Sequence, residues 1–218
     1  LGGPEDTPDF KTYHPTDLLE TGYDILFFWV ARMILMTEFV LGTIPFKTIY
    51  LHGLVRDAQG RKMSKSLGNN LDPLDIAQKF GADAARMALV VGNTPGTDMR
   101  ISEDKVRGYK HFANKLWNIA RFILDNAKDA DMTASLTASD AEILSAHDAL
   151  LKDVTTDIDE FRIYMAAEKL YHYAWHELAD KILEESKPIF AGGDATARAS
   201  RARLLVTILD RTLRLLHP

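Results

Sequence analysis

A strand–helix–strand pattern in the first fifty residues constrains the fold of this chain more than any other feature. Residues 17–22 predict a strand that ends at a glycine, and residues 47–51 predict a second strand. Between them, residues 25–40 are apolar on most faces, which predicts a helix buried on both sides with Asp24 as its N-cap. Strands joined through a helix run parallel, so we expect a parallel sheet. Two strands are too few for a stable open sheet, so we also expect missing sheet partners.

The rest of the chain predicts loops and then helices. Residues 54–71 are polar and contain several glycines, which indicates a long loop. Two short helices are predicted next, one from Pro73 to near Gly81 and one over residues 83–91, followed by a turn at 93–96. After Ser102, a favourable N-cap, apolar residues recur at helical spacing and predict a helix bundle. Its later helices are predicted at 141–154, at 157–186 with Pro188 ending it, and at 195–216.

Composition excludes several classes of protein. The chain has no cysteine, which excludes disulfides, cysteine zinc sites and thiolate nucleophiles and is compatible with a reducing, cytoplasmic location. The longest apolar run, residues 25–30, is too short to span a membrane. The net charge is -5, so the chain as a whole would repel a nucleic acid, and binding to one would require a local basic patch. The chain begins at Leu1 and ends within a predicted helix, so we expect a fragment of a longer protein.

One basic loop carries the groups that a triphosphate needs. Lys62 and Lys65 provide cations on long side chains, Ser64 and Ser66 provide hydroxyl donors, and flanking glycines permit bends. Phosphoryl and nucleotidyl transfer depend mainly on positioning and on stabilising the charge that develops on the leaving group. A loop that closes over the phosphates could do both. Without further context, a loop with two lysines and two serines is more often a solvated basic segment than a phosphate-binding site.

The surrounding sequence resembles class I aminoacyl-tRNA synthetases. Lys62, Met63, Ser64, Lys65 and Ser66 match the KMSKS motif of that family at all five positions, and the resemblance extends over residues 52–86. Residues 21–33 and 93–100 resemble the valine-specific branch, and residues 115–118 and 166–188 resemble its helical anticodon-binding domain. The resemblance implies α/β plus all-α architecture, with a partial Rossmann-like parallel sheet before a helix bundle. It divides the chain into half of the catalytic fold (1–54), the loop and connecting region (55–101) and the anticodon-binding domain (102–218).

The resemblance also implies roles for individual residues. Lys62 and Lys65 are the candidate catalytic residues. ATP and the adenylate are assigned to Gly22, Asp24, His52, Gly53, Met63, Ser64, Lys65 and Ser66, with Asp24 near the ribose hydroxyls and the backbone of His52 and Gly53 against adenine. Ile25 and Trp29 are implied walls of the valine pocket, although plain core packing is an equal alternative. No metal site is predicted, because His52 has no second ligand at suitable spacing. The implied partners are ATP with Mg²⁺, valine and tRNA(Val), for a monomeric enzyme.

The helical half leaves alternatives open. An aromatic cluster is interpreted mainly as core, with a base-stacking platform as the alternative; its members are Trp117, Phe161, Tyr164, Tyr171, Tyr173 and Trp175. His172 and His176 are four residues apart, as two metal ligands could be, but are interpreted as packed or exposed histidines. The arginines of the last predicted helix either contact tRNA phosphates or form an exposed face; they are Arg198, Arg201, Arg211 and Arg214.

The second ATP motif of the family, His-Ile-Gly-His, does not occur in this sequence. The editing insertion is not found either. We therefore expect this chain alone to lack aminoacylation activity. Two other hypotheses stay open: a segment of the isoleucine-specific relative, and a non-catalytic tRNA-binding module. An intact loop at residues 62–66 disfavours the second hypothesis, because drift should have eroded a loop that served only catalysis in a module without activity.

Overall fold

The structure is a computed structural model that describes residues 7–128 and 131–217, without the side chain of Lys65. The chain forms two compact units. The first contains the described residues up to Asn70 together with Asn93–Arg100, and the second contains Leu71–Gly92 and the described residues from Ile101 onward. The division at 54/55 and 101/102 stays a prediction.

The first unit contains the predicted parallel strand pair. Helix α1 (Pro8–Tyr13) precedes strand β1 (Thr16–Gly22), which pairs in parallel with β2 (Phe46–His52). The register sets Thr16 opposite Phe46 at one end and Gly22 opposite His52 at the other. Helix α2 (Ala31–Leu41) connects the two strands and ends at Gly42, which has a φ of 65°. The strand–helix–strand prediction is confirmed.

The start of that connection differs from the prediction. The chain passes from β1 into a 3₁₀ turn (Tyr23–Ile25) and a π turn (Leu26–Val30) before α2 begins. Asp24 is therefore not an N-cap, because it already lies within helical backbone, whereas an N-cap needs extended backbone. No side chain caps this helical start.

The predicted burial of this helix on both sides is also wrong for the described chain. Val30 is fully buried, but Leu35 is 70% exposed and Phe39 is 87% exposed. A sheet of two strands can cover only one face of a helix, so the opposite apolar face contacts solvent.

The polar segment after β2 contains a short strand that the sequence did not predict. Strand β3 (Val55–Arg56) pairs in parallel with β4 (Met99–Arg100), and a 3₁₀ turn covers Lys65–Leu67. A two-residue strand is too short to show the alternation of apolar and polar residues that predicts a strand. Only its pairing with a strand 44 residues later identifies it. This pairing brings Asn93–Arg100 into the first unit.

In the second unit, the predicted N-termini are confirmed by capping geometry. Helix α3 (Pro73–Phe80) starts at Asp72, whose carboxylate accepts a hydrogen bond from the N–H of Leu74 at 2.8 Å. After α4 (Ala82–Val90), helix α5 (Glu103–Asn126) starts at Ser102, whose hydroxyl accepts from the N–H of Lys105. Helix α6 (Ala138–Asp159) is longer than predicted, and the predicted connection before it includes residues 129 and 130, which are outside the described residues.

The predicted helix over 157–186 is interrupted. Helix α6 ends at Asp159, and α7 (Ile163–His172) begins after a turn in which Phe161 has a φ of 59°. A π-helical segment (Tyr173–Ile182) then leads into α8 (Leu183–Gly192), which contains Pro188. The prediction that Pro188 ends the helix is wrong. Proline leaves the carbonyl of residue 184 without its helical donor, and both residues are exposed, so water can satisfy that carbonyl.

The last helix, α9 (Ala195–Leu216), has the predicted boundaries. It packs against α5 and the π-helical segment around a core of fully buried aliphatic side chains, which include Ile123, Leu178, Leu204, Leu205 and Ile208. Among the described residues, no helix is both long and apolar enough to cross a membrane.

Candidate functional site

The carboxyl ends of β1 and β2 bring three predicted site residues together. Gly22 and His52 are paired across the sheet, and Asp24 lies two residues after Gly22. A Cβ atom at Gly22 would lie 2.7 Å from the Asp24 carboxylate and 3.4 Å from the His52 ring. The Nε2 atom of His52 lies 3.5 Å from the carboxylate of Glu20. The absence of a side chain at Gly22 therefore lets the Asp24 carboxylate and the His52 ring lie next to the strand end. Ligands of open parallel sheets bind at this edge.

At Gly53, a glycine is required because another segment of backbone lies against it. A Cβ atom there would lie 1.9 Å from the carbonyl oxygen of Thr97 and 2.6 Å from the nitrogen of Asp98. The backbone of the returning segment therefore passes directly over Gly53. In addition, the N–H of Gly96 donates to the carbonyl of Leu51 at 2.8 Å.

We expect Gly53→Ala to lower the free energy of unfolding of the first unit by at least about 1–3 kcal/mol, because the new methyl group overlaps backbone. Gly108→Ala is the matched control, because nothing lies within 4 Å of a Cβ there and alanine favours a helix interior. Urea unfolding can be followed by the fluorescence of Trp29 in a Trp117→Phe/Trp175→Phe background. Equal stability of the two glycine variants would contradict the steric argument.

Asp98 connects the strand-to-helix turn with the start of the basic loop. One carboxylate oxygen accepts from the Tyr23 hydroxyl at 3.0 Å and from the N–H of Leu54 at 2.8 Å. The other pairs with the Arg56 guanidinium at 2.5 Å. The Leu54 N–H, followed by Arg56, lowers the pKa of Asp98 below its usual range. Asp98 was not predicted as a site residue, although it lies in the segment 93–100 that carried the resemblance.

A second carboxylate, Asp57, organises the basic loop itself. Asp57 is only 6% exposed. One of its oxygens accepts from the N–H groups of Gln59 and Arg61 at 3.0 and 2.8 Å. The other accepts from the Arg61 side chain at 2.7 Å and from the Asn69 amide at 2.9 Å. The hydrogen bond from Asn69 is the main cause that lowers the pKa of Asp57 to about 2.

The loop presents its polar groups to solvent. Lys62 is exposed, Met63 and Ser64 are half-buried, and Ser66 is exposed. The hydroxyls of Ser64 and Ser66 lie 3.1 Å apart. The side chain of Lys65, a predicted catalytic residue, lies outside the described residues, although its backbone begins the 3₁₀ turn.

A separate open cleft of about 490 Å³ lies beside the same helical turn. Its lining is apolar apart from Tyr23 and Asp24; the other lining residues are Leu26, Phe27, Val30, Ala31, Ile34 and Ile49. Ile25 and Trp29 do not line it, and at 41% and 45% exposure they are not core residues of the described chain either.

In the second unit, the aromatic cluster is not a buried core. Trp117 is 70% exposed, and the other five rings are half-buried or exposed. Tyr171 and Trp175 pack near Phe112, with ring centroids 4.7 and 6.3 Å from it. The rings of His172 and His176 lie 4.7 Å apart, and His176 faces Asp180 at 3.5 Å.

The arginines of α9 do not form one face. Arg201 is buried against Asp140, so a phosphate contact by Arg201 is excluded in this fold. Arg211 pairs with Asp148 and Arg214 with Asp210, while Arg198 is exposed.

Two family models match the chain. The model described as tRNA synthetases class I (I, L, M and V) matches residues 1–102, and the model for the anticodon-binding domain of tRNA ligase matches residues 140–218. Among curated proteins, the valine–tRNA ligases of Clostridium acetobutylicum and Bacillus cereus are each 45% identical over the whole chain. The chain spans about a quarter of the length of these relatives, 25% in both cases.

Solved structures agree with this fold. The Mycobacterium tuberculosis methionyl-tRNA synthetase bound by methionyl-adenylate matches 98% of this chain and 43% of its own, with a TM-score of 0.78 and 25% identity. The LeuRS of Agrobacterium radiobacter K84, in a complex with tRNA and LeuAMS, matches 93% of this chain and 26% of its own, with a TM-score of 0.68 and 24% identity. The chain therefore belongs to the class I tRNA synthetase family and corresponds to a segment of its valine–tRNA ligases.

Proposed function

We propose that this chain supplies the ATP-handling loop and the helical tRNA-facing part of a ligase that activates valine. The complete enzyme joins the carboxylate of valine to the AMP portion of ATP, which releases pyrophosphate and gives valyl-adenylate. It then transfers the valyl group to tRNA(Val), which releases AMP. The observation that carries this proposal is an intact Lys62–Ser66 loop, anchored by Asp57 in the same unit as the open strand ends. Valine–tRNA ligases 42–45% identical to this chain support the choice of amino acid.

In this proposal the loop binds the triphosphate. Lys62 and Lys65 supply the cations, the hydroxyls of Ser64 and Ser66 supply donors, and the Met63 backbone holds the spacing between them. Negative charge grows on the leaving pyrophosphate as the adenylate forms. Cations that engage it more strongly in the transition state than in the bound substrate accelerate the reaction.

The strand ends bind the nucleoside portion of the adenylate. In this proposal the backbone of His52 and Gly53, at the end of β2, lies against adenine, and Gly22 lies opposite His52 at the end of β1. Asp24 offers carboxylate oxygens that can accept hydrogen bonds from ribose hydroxyls. Ile25 and Trp29 are the proposed walls of the amino-acid pocket. Such an apolar pocket separates valine from isoleucine by only about 1–3 kcal/mol per methylene.

In this proposal Mg²⁺ is bound by the nucleotide phosphates and not by the carboxylates near the loop. Asp57, the carboxylate nearest the loop in sequence, already accepts four hydrogen bonds, and Asp98 accepts three. The loop therefore offers cations and hydroxyls, and Mg²⁺ held by the phosphates enters as part of the MgATP substrate. The proposed enzyme acts as a monomer in the cytoplasm, where tRNA(Val) is charged.

Pyrophosphate exchange tests the proposal. We expect the full-length ligase that carries this segment to exchange pyrophosphate into ATP in the presence of valine, and faster than with isoleucine at equal concentration. The 218-residue chain alone is expected to show no exchange, because it has no His-Ile-Gly-His motif. Faster exchange with isoleucine would reassign the substrate, and clear turnover by the 218-residue chain would contradict the expected inactivity.

A further inference from the structure

The base of the basic loop is closed by side chains rather than by a strand ladder. Asp57 and Asn69 are 12 residues apart in sequence, and their side chains meet at 2.9 Å. The one backbone bridge within the described part of this loop joins Arg56 to Lys62. The turn after Asp57 is tight, because the N–H of Gly60 donates to the carbonyl of Asp57 and Gly60 has a φ of 80°.

The Asn69 amide also holds the loop backbone on both sides of Met63. Its oxygen accepts from the N–H of Ser64 at 3.0 Å, and its nitrogen donates to the carbonyl of Lys62 at 3.3 Å as well as to Asp57. The Asn69 side chain therefore fixes two backbone groups of the loop, the carbonyl of Lys62 and the N–H of Ser64.

Asp57 cannot itself bind phosphate, because it carries a negative charge and its oxygens are already occupied. Its contacts are local: two N–H groups, the Arg61 side chain and Asn69. An ionised carboxylate at 6% exposure requires such compensation. The hydrogen bonds that satisfy it are those that shape the loop.

We propose that Asp57 and Asn69 form a clamp that holds the Lys62–Ser66 loop in a conformation ready for the ATP phosphates. Both are positioning residues. They act through the backbone of Lys62 and Ser64 and do not touch the nucleotide. This inference rests on the proposed function only for its effect on catalysis. The effect on loop order is independent of it.

Loop order is tested on the 218-residue chain by limited trypsin digestion, since Arg61, Lys62 and Lys65 are cleavage sites within the loop. We expect Asn69→Ala to raise the rate of cleavage within the loop by about tenfold or more, while the thermal unfolding midpoint stays close to that of the parent chain. The matched control is Asn70→Ala, at the exposed neighbouring position, which should leave cleavage unchanged. Equal cleavage of the Asn69→Ala variant and the parent would overturn the clamp.

The catalytic consequence is tested in the full-length ligase. Small misplacements of catalytic groups can reduce rates about a hundredfold, so we expect Asn69→Ala to lower kcat for valine-dependent exchange by about 10–100-fold. The KM for valine should not change. General unfolding would instead lower the amount of active enzyme, and trypsin would then cleave throughout the chain and not mainly within the loop. If Lys65→Ala abolishes exchange but Asn69→Ala does not affect it, the clamp fails and the proposed function stands. If Lys65→Ala has no effect, the proposed function fails, and the trypsin result still decides the clamp.

Exchanging the side chains of Asp57 and Asn69 distinguishes loss of their hydrogen bond from loss of side-chain volume at position 69. Asn69→Asp sets two carboxylates against each other and should be at least as defective as Asn69→Ala. The double variant Asp57→Asn/Asn69→Asp restores a donor and an acceptor across the same 2.9 Å contact in the opposite direction. We expect it to recover part of the loop protection and of the exchange rate. A double variant worse than the sum of its single changes would contradict a direct contact.

Discussion

Lys65→Ala in the full-length ligase should slow the formation of valyl-adenylate by about 10²–10³-fold, with little change in the affinity for valine. This is the size of effect seen when one donor that stabilises transition-state charge is removed. Lys65 follows Ser64, whose backbone is held by Asn69, and begins a 3₁₀ turn, so its backbone has a defined position from which a long cationic side chain can reach phosphate. If Lys65 binds the phosphates as proposed, its charge has its largest effect when the pyrophosphate begins to leave.

Single-turnover measurement of adenylate formation over a range of valine and ATP concentrations separates the rate constant from both affinities. Lys152→Ala is the charge-matched control, because Lys152 is exposed on α6 in the other unit and should not affect the rate. A fall in valine affinity as large as the fall in rate would mean that Lys65 contributes uniform binding instead.

The second large effect is expected in the helical unit, where Asp140→Ala should lower the free energy of unfolding by about 3–5 kcal/mol. That is the usual cost of removing one partner of a buried ion pair, because the other charge stays buried without compensation. Asp140 accepts from Arg201 at 2.7 Å and from the Ser200 hydroxyl at 2.5 Å, and Arg201 also donates to the Ser186 hydroxyl at 3.0 Å. These contacts join α6, α8 and α9.

Urea unfolding of the second unit, followed by the fluorescence of Trp175 in a Trp29→Phe/Trp117→Phe background, measures this cost. Asp210→Ala is the matched control, because Asp210 forms an exposed pair with Arg214 within α9, and such pairs contribute less than about 1 kcal/mol. Replacing both buried partners, as Asp140→Leu/Arg201→Met, should recover much of the loss. A cost for Asp140→Ala as small as that of the exposed control would show that the buried pair does not stabilise the unit.

Local sequence signals predicted the elements that local forces determine. The boundaries of α9, the start of α3 at Pro73, the Ser102 cap of α5 and the parallel pairing of β1 with β2 follow from periodicity, from proline and cap residues, and from the strand–helix–strand order. The interior position of Pro188 could not be predicted, because its tolerance depends on which face of the helix meets water. The exposure of Trp117 could not be predicted either, because an aromatic residue at helical spacing is compatible with both a core and a surface.

The candidate site shows the same division. The basic loop and the strand ends were identified from their residue types and from the resemblance, and the structure brings Gly22, Asp24 and His52 together. Asp57, Asn69 and Asp98 were not predicted, since a lone carboxylate or amide in a polar segment gives no signal by itself. Asp98 contacts residues that precede it by 42 and 75 positions. Such pairings depend on the tertiary fold and not on spacing.

That distance in sequence also sets an order of events during synthesis on the ribosome. The first unit is not continuous, because Leu71–Gly92 belong to the second unit and lie between the basic loop and Asp98. When β1, β2 and the loop have left the ribosome, the carboxylate that ties Tyr23, Leu54 and Arg56 together has not yet been made. Helices α3 and α4 are translated first. The first unit can therefore be completed only after part of the second unit has been translated. A nascent chain ending before residue 93 lacks β4 and the Asp98 carboxylate that complete the first unit.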